Sequence, residues 1–447
     1  MSSPADHTDA DTDTDSDAHA DGHAVSPDDV QRTLEAVWRM EAAKVTAVVA
    51  RVVGDVGLAE DLAQDAFVQA LEQWPRDGIP TKPGAWLTST ARRRAIDRIR
   101  RDVNLAGKLQ QVGRTEELRV AELAEADFDA ALADIDDDVL GLIFAACHPA
   151  LTAQARISLT LRMIGGLTTR EIARAFLTTE PTIGQRISRA KRTLSQDGVT
   201  IEIPSGADLA PRLASVLEVV YLVFNEGYAA TSGRDWVRGD LMEEAIRLGR
   251  VLAALTPAEP EVHGLLALME IQASRTRARI GRDGEPVLLL DQDRTKWDWA
   301  LIRHALAALD RATTLSSATS TGPGPYLLQA AIAACHARAR TADATDWSQI
   351  VALYERLGTV RPSPVIDLNR AVAVSYADGP AEALAVVDVL VADGALSDYH
   401  LLPSVRGDLL ARLGRDAEAR VEFARAAEMA QNEAERALLL RRAAGEA

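Results

Sequence analysis

The chain has 447 residues, of which 47% are hydrophobic and only 4% aromatic, and its formal net charge is −17. This length exceeds what one ordinary core accommodates and predicts two to four domains. The Ala- and Leu-rich composition, with few β-branched or aromatic runs, predicts an all-α fold. No apolar stretch reaches the roughly 18 residues of a membrane span, and the acidic N-terminus is unlike a secretory signal. We therefore expect a cytoplasmic protein with no membrane partner.

The charge is distributed unevenly along the chain. Residues 1–30 contain nine Asp and no Lys or Arg, whereas residues 92–101 contain six Arg and one Asp. Residues 156–192 contain seven Arg and one Lys against two Glu. Because the local distribution of charge decides nucleic-acid binding more than its sum, these two basic segments predict two binding surfaces. The cysteines Cys147 and Cys335 form no metal-ligand or redox motif, and we expect no metal and no cofactor.

The predicted elements begin after an acidic tail. Residues 1–27 alternate Asp with small residues and are predicted to be disordered, because they offer too little apolar surface to bury. Residues 28–103 follow a helical pattern, with a second helix over 58–74 and a third over 86–101. Pro and Gly over 75–83 predict a loop between them. The third helix carries arginine on almost all of one face.

An acidic linker is predicted over residues 104–138, followed by compact helices over 139–198. Thr168 and Glu171 have the spacing of a capping box, and Pro181 is placed to begin the next helix. That helix packs through Ile183, Ile187 and Ala190. Its predicted exposed side chains are Thr182, Gln185, Arg186, Arg189 and Arg192. The pattern indicates a DNA-binding helix–turn–helix, with a plain helical hairpin as the alternative.

The C-terminal half is predicted to form two further helical domains, over 205–320 and 321–447. Apolar segments that start at Ile350, Ala383 and Ala419 align with spacings of 33 and 36 residues. A period of about 34 residues with paired helices is typical of tetratricopeptide repeats.

Two short sequence motifs with polar residues interrupt the apolar helices of this half. They are Asn225, Glu226 and Tyr228, and then Asp293, Arg294 and Trp297. We interpret them as buried side chains that cap helices and connect this half to the N-terminal half. A small-ligand pocket stays open, and so does acid–base catalysis by a Glu near an Asp–Arg pair. Because no Walker, HExxH or GxSxG motif occurs, we expect no enzyme.

Two N-terminal segments together resemble the second region of sigma-70 factors of the extracytoplasmic-function (ECF) type. They are 60–67 (Glu-Asp-Leu-Ala-Gln-Asp-Ala-Phe) and 83–101 (starting Pro-Gly-Ala-Trp-Leu). The resemblance implies that Asp61, Gln64, Asp65 and Phe67 bind the β′ clamp of RNA polymerase core. It also implies that the promoter −10 element is bound by Arg92, Arg93, Arg98, Arg100 and Arg101.

The helix–turn–helix looks like the fourth region of the same family, which reads the −35 element. The implied −35 residues are the exposed ones listed above, Thr182 to Arg192. The implied partners are promoter DNA and the β′ clamp and β flap of the polymerase core.

The Cys147-His148-Pro149 turn and several C-terminal segments are similar to a sigma subgroup with a fused helical, tetratricopeptide-like extension. This implies a sigma factor whose extension regulates or supports its activity, with a small ligand or protein partner left open for the extension. Two other classes also remain. A helix–turn–helix regulator that acts without the polymerase leaves 58–101 unexplained, and a tetratricopeptide scaffold leaves the basic recognition face unexplained.

Overall fold

The computed structural model describes residues 27–107, 135–176, 178–228, 239–281, 287–319, 322–394, 396–430 and 432–445. Within these ranges the chain forms eighteen α-helices and five short 3-10 turns, and no β-strand. The predicted all-α fold is confirmed. The predicted tail up to residue 26 lies outside the described residues, as do positions 108–134 of the predicted acidic linker.

The first three helices form the N-terminal bundle. They are α1 (Pro27–Val53), α2 (Val56–Asp77) and α3 (Pro83–Gly107). α2 begins at an N-cap, because Asp55 Oδ1 accepts the Leu58 N–H at 2.7 Å. The three helices enclose a core that includes Val45, Val49, Leu62, Trp74 and Leu87.

The second and third helices are longer than predicted. α2 continues through Pro75 to Asp77, although the sequence pattern ended it at residue 74. A proline this close to the C-terminus disturbs only the last turn of the helix. The chain leaves α2 at Gly78, whose φ of 82° is a left-handed conformation that glycine adopts without strain. α3 starts at Pro83 and runs to Gly107, past its predicted end at residue 101.

Four shorter helices form the helix–turn–helix unit. They are α4 (Ile135–Ala146), α5 (Ala153–Met163), α6 (Thr169–Ala175) and α7 (Glu180–Gln196). The predicted capping box is present. Thr168 Oγ1 accepts the Glu171 N–H at 3.1 Å, and Glu171 Oε2 accepts the Thr168 N–H at 2.8 Å. Thr179 caps α7, and Pro181 lies in its first turn as predicted.

Five helices form the middle domain. They are α8 (Leu209–Tyr228), α9 (Gly239–Leu255), α10 (Pro260–Ala273), α11 (Trp299–Ser317) and α12 (Pro325–Arg338). Their apolar side chains join those of α4 to α7 in one continuous core. α12 belongs to this core through Tyr326, Leu327, Ala330 and Ala334, so the core continues past the predicted boundary at 320/321.

Six helices form the repeat domain, which is a row of three helical hairpins. They are α13 (Trp347–Val360), α14 (Pro364–Ala377), α15 (Pro380–Ala392), α16 (Leu401–Arg412), α17 (Asp416–Met429) and α18 (Glu433–Ala444). Each helix packs on the next, and the starts of the hairpins repeat the periodicity seen in the sequence. A separate core here includes Leu384, Val387, Leu409 and Phe423.

The N-terminal bundle packs directly against the helix–turn–helix unit. α1 contacts α4, and α2 contacts α7. Ala47 and Val56 of the bundle are part of the core that α4 to α12 share. Nowhere in the described ranges does a helix combine the length and apolarity needed to cross a bilayer.

Candidate nucleic-acid interface

The basic face of α3 is open to solvent. Leu87, Ala91 and Ala95 are fully buried on the opposite side of the helix. The exposed arginines are Arg93, Arg98, Arg100 and Arg101, and Arg92 is half-buried. Their contacts include Arg93 to Ser89 Oγ at 3.0 Å and Arg100 to Asp97 at 3.9 Å, both on α3 itself. A helix surface with this density of cations suits a run of phosphates.

Arg94 differs from its neighbours because it bridges α3 to α2. Its Nη1 lies 3.4 Å from Asp65 Oδ2, and its Nη2 donates to Gln69 Oε1 at 3.0 Å. The Trp86 ring is half-buried and meets the Trp74 ring edge-on at 5.6 Å. Trp86 therefore packs on the core of the bundle.

The second helix of the helix–turn–helix unit, α7, presents a polar face of mixed accessibility. Ile183, Ile187 and Ala190 are buried beneath it, as the sequence predicted. Of its five predicted DNA contacts, Gln185, Arg189 and Arg192 are exposed, while Thr182 and Arg186 are half-buried. Thr182 uses its hydroxyl in a 2.8 Å hydrogen bond to Thr179, and Arg186 reaches Gln154 at 3.5 Å. Gln185, Arg189 and Arg192 are therefore the side chains best placed to meet DNA.

The four residues predicted to bind the polymerase clamp all have partners inside the chain. Asp61 lies 3.3 Å from Lys191 Nζ, and Gln64 donates to Glu60. Asp65 pairs with Arg94. The Phe67 ring is half-buried and lies 4.9 Å from the Trp38 ring, so it serves the core of the bundle.

Glu60 is the central charged residue that sequence reasoning missed. Its side chain is only 5% exposed and accepts from Arg162 Nε at 2.6 Å and Lys191 Nζ at 2.7 Å. Burial alone would raise the pKa of the carboxyl, but Lys191 and Arg162 outweigh it and hold the pKa below its usual value. The signal was present in the sequence, since Glu60 lies on the same helical stripe as Ala59, Ala63 and the other buried residues.

A second set of unpredicted polar residues joins the helix–turn–helix unit to the middle domain. Arg212 Nη2 donates to the Phe144 carbonyl at 2.9 Å, and Ser215 Oγ donates to the Cys147 carbonyl at 2.6 Å. Arg156 reaches Ser215 Oγ at 2.6 Å and Glu218 at 3.0 Å. These bonds satisfy carbonyls at the end of α4, which the α4–α5 turn leaves without helical partners.

The polar motif residues of the extension connect parts of the extension to each other. Tyr228 accepts a hydrogen bond from Arg275 at 2.8 Å, and its ring lies under Arg279 at 3.5 Å. Arg294 Nη1 donates to the His336 carbonyl at 2.6 Å. In the same motifs Trp297 is buried, and Asn225 and Glu226 are half-buried. Asp293 is exposed, and its carboxylate accepts the Thr295 N–H. The contacts of Tyr228 and Arg294 thus lie within the extension, and a connection of these motifs to the N-terminal half stays a prediction.

A cavity of about 450 Å³ lies between residues 288–291 and the repeat domain. Among its lining residues, the Trp347 and Tyr376 rings stack at 4.4 Å, and the His336 ring meets Trp347 edge-on at 5.2 Å. The size suits a small ligand. None of the six motif residues of the extension is among the residues that line it.

The N-terminal bundle and the helix–turn–helix unit each match a known protein family. Residues 37–104 match the model of Sigma-70 region 2, and residues 142–194 match that of Sigma-70, region 4. The chain is 31% identical over 164 residues to the ECF RNA polymerase sigma factor SigK of Mycobacterium ulcerans (strain Agy99), covering 34% of this chain and 78% of that protein. The chain belongs to the ECF sigma factor family.

This ECF sigma factor also shares its extension with a known sequence. Residues 212–313 match a family of unknown function, DUF6596. The uncharacterized protein R00370 of Rhizobium meliloti (strain 1021) is 46% identical over 386 residues, covering 86% of this chain and 89% of that protein. The probable ECF RNA polymerase sigma factor SigI of Mycobacterium tuberculosis (strain ATCC 25618 / H37Rv) is 26% identical, over 38% of this chain and 57% of that protein. No solved structure matches the chain.

Proposed function

We propose that this ECF sigma factor binds RNA polymerase core through α2 and recognises promoter DNA through α3 and α7. In this proposal Asp61, Gln64 and Asp65 contact the β′ clamp, with Phe67 supporting them from the core. Arg92, Arg93, Arg98, Arg100 and Arg101 bind the −10 region. Thr182, Gln185, Arg186, Arg189 and Arg192 face the −35 element, and the rest of the helix–turn–helix unit meets the β flap.

The observation that carries the proposal is the pairing of two exposed basic helix faces within one chain. On α3 and on α7 alike, arginines point to solvent while apolar residues of the same helix are fully buried. An exposed cationic face on a helix–turn–helix fits the major groove, where early polar side chains meet base edges. The dense arginine face of α3 suits the phosphates of a melted or distorted strand. A chain that engages RNA polymerase and a promoter works in the cytoplasm.

The decisive experiment is transcription in vitro from the upstream region of the gene, with bacterial core polymerase and the full chain. We expect initiation that depends on the added protein. Arg189→Glu should abolish it while core binding persists, because the reversed charge repels phosphate and removes a base-facing donor. Arg303→Glu, an equal change on an exposed face of α11, is the matched control and should retain activity. Full activity of Arg189→Glu would contradict the role of α7.

The extension is further proposed to support the helix–turn–helix unit as a structural part of it. Phe144 and Leu161 of that unit and Val216 of α8 are buried in one core, so neither side is complete without the other. The hydrogen bonds from Arg212 and Ser215 to carbonyls at the end of α4 also fix the orientation of α8 on this core. Of the two roles that the sequence left open, regulation and support, the shared core favours support.

A further inference from the structure

The cavity of about 450 Å³ beside the repeat domain, called the repeat-domain pocket below, is a built enclosure rather than a gap at the surface. Residues of α12, α13, α14, α16 and α18 line it, and the segment 288–291 forms a further side. Its aliphatic lining includes Ile350, Val372, Ala373, Val405 and Leu409, and its aromatic lining is Trp347, Tyr354 and Tyr376. An apolar enclosure of this size with a few polar groups is typical of a site for a small organic molecule.

The aromatic wall of the pocket is held in place by its own contacts. The Trp347 ring stacks on the Tyr376 ring at 4.4 Å, and the Arg412 guanidinium lies 4.4 Å from the centre of the same ring. A stacked ring and a guanidinium at these distances cannot share one face, so Tyr376 lies between them. Arg412 is itself fixed by hydrogen bonds to the Ser375 carbonyl at 2.8 Å and to Ser375 Oγ at 2.7 Å. A ligand therefore meets a wall that needs no ordering when it binds.

His336 adds to the lining a polar atom that lacks a partner. Its Nδ1 is buried and has no hydrogen-bond partner among the residues that the structure describes. The end of α12 that carries it is held from behind, because Arg294 Nη1 donates to the carbonyls of His336 and Ala339 at 2.6 and 2.8 Å. A buried polar atom without a hydrogen bond costs free energy, and a polar group of a ligand would remove that cost.

The charges of the lining favour a cation. Asp408 accepts a hydrogen bond from Arg442 at 2.5 Å, and this pair balances itself. Asp291 is exposed and is in excess, so the charged lining residues sum to one negative charge. Burial raises the pKa of the Tyr376 hydroxyl, and Asp408 and Asp291 add to this effect, so both carboxylates lie near the aromatic wall. His336 adds no positive charge at pH 7, because burial lowers the pKa of its imidazole to about 4.

We propose that the repeat-domain pocket binds a small organic amine. Its apolar body packs against the wall of Trp347 and Tyr376, its ammonium group faces Asp291, and a further polar group meets His336. Aromatic rings and a carboxylate are the groups that attract an ammonium ion most strongly in proteins. The site is separate from the basic faces of α3 and α7, so this proposal stands or falls independently of the proposed function.

Titration calorimetry of the full chain at pH 7.5 tests the charge preference with three probes that share one ring. The probes are phenethylamine, phenethyl alcohol and phenylacetate. The amine should bind about three- to fivefold tighter than the alcohol, because one partly solvated ion pair is gained, and phenylacetate should bind more weakly than either. Absence of saturable binding by the amine would overturn the proposal. So would tighter binding of phenylacetate, since it would show that the pocket selects an anion.

Asp291→Asn tests the residue that carries the preference. It should weaken phenethylamine binding about three- to fivefold, to the level of the alcohol, and leave the alcohol unaffected. Asp398→Asn removes an exposed carboxylate of the repeat domain that does not line the pocket, and it is the matched control. Equal amine affinities for the two variants would contradict the role of Asp291.

A cavity-filling variant tests the location of the site. Ser404 is half-buried on α16 and lines the pocket, so Ser404→Phe should block the amine and the alcohol alike. Thermal unfolding of the same samples checks that the variant is folded. Unchanged amine binding by folded Ser404→Phe would place the site elsewhere and overturn the proposal. If the added ring unfolds the repeat domain, the comparison of Asp291→Asn with Asp398→Asn decides, because both changes lie on the surface.

Discussion

Two neighbouring arginines on α3, Arg93 and Arg94, make different contacts. Arg93 is exposed and donates to Ser89 on its own helix, whereas Arg94 connects α3 to Asp65 and Gln69 on α2. The sequence presents them as equivalent members of one basic run. Because their contacts differ, Arg93 and Arg94 offer a matched pair of variants that remove the same charge at adjacent positions.

Arg93→Gln should weaken promoter binding by the polymerase complex and lower the slope of log affinity against log salt by about one. Arg94→Gln should leave that slope unchanged and instead lower the melting temperature of the N-terminal bundle, because it loses a bridge between helices. The cost should stay near or below about 1 kcal/mol, since the bridge is partly solvated. Salt titrations of promoter binding and thermal unfolding distinguish the two. An unchanged salt slope for Arg93→Gln would remove that residue from the DNA surface.

His336 should make the stability of the extension depend on pH. Burial, with help from Arg275 and Arg294, lowers the pKa of its imidazole from 6.5 to about 4. Between these values the unfolded chain binds more protons than the folded one, so stability is fully present above pH 6.5 and falls as the pH drops toward 4. The loss should amount to about 2–3 kcal/mol. Thermal unfolding of wild type and His336→Gln at pH 7.5 and 5.0 measures it. An equal pH dependence in both proteins would contradict the assignment.

Residues whose partners are local were predictable, and residues whose partners are distant were not. The capping box of Thr168 and Glu171 spans three positions and could be recognised from spacing alone. Glu60 and Arg162 are 102 positions apart, and Ser215 bonds to a carbonyl 68 positions away. Nothing in the local pattern indicates such pairings, because they depend on how separately formed helices pack.

At the scale of elements, the continuous core of α4 to α12 is the feature that the sequence did not reveal. Helical periodicity predicted most helices, since each has a buried stripe. It also ended α2 and α3 too early: the Pro- and Gly-rich segment after residue 74 predicted a loop, whereas α2 continues to Asp77 and α3 to Gly107. Which helices share a core depends on contacts between the buried stripes of different helices, and the predicted division at 320/321 separates α12 from the core that it belongs to.

Two truncations should separate the roles of the middle and repeat domains. Residues 1–204 lack α8 to α18, so Phe144 and Leu161 lose the apolar surface that buries them, at about 1.5–3 kcal/mol for each exposed large side chain. This fragment should lose the fold of the helix–turn–helix unit and be inactive. Residues 1–345 keep α8 to α12 and should retain that fold. Hydrogen exchange over α5 and α7 compares them, and strong protection in the shorter fragment would contradict a supporting extension.

At the scale of the whole molecule, the described residues form four apolar cores that do not coincide with the units defined by sequence similarity. A small one joins Leu328 and Ile332 of α12 to Ile350 of α13. The N-terminal bundle and the repeat domain each have their own, and the central core passes through the region 4 match, the DUF6596 match and α12. The N-terminal bundle meets the central core through the apolar residues Ala47 and Val56 and through the ion pairs of Glu60 with Arg162 and Lys191.

The shared central core also limits how such factors can be recombined. Engineers who alter promoter choice by exchanging the proposed −35-reading segment between sigma factors would have to move α4 to α12 as one piece. The joints would lie within residues 108–134 and between α12 and α13, where the packing of Leu328 and Ile332 on Ile350 would have to be matched. A donor segment would also need cations where Arg162 and Lys191 stand, or the hybrid would lose its partner for Glu60. In lineages that carry this extension, exchange of a −35 reader without its middle domain should therefore be selected against.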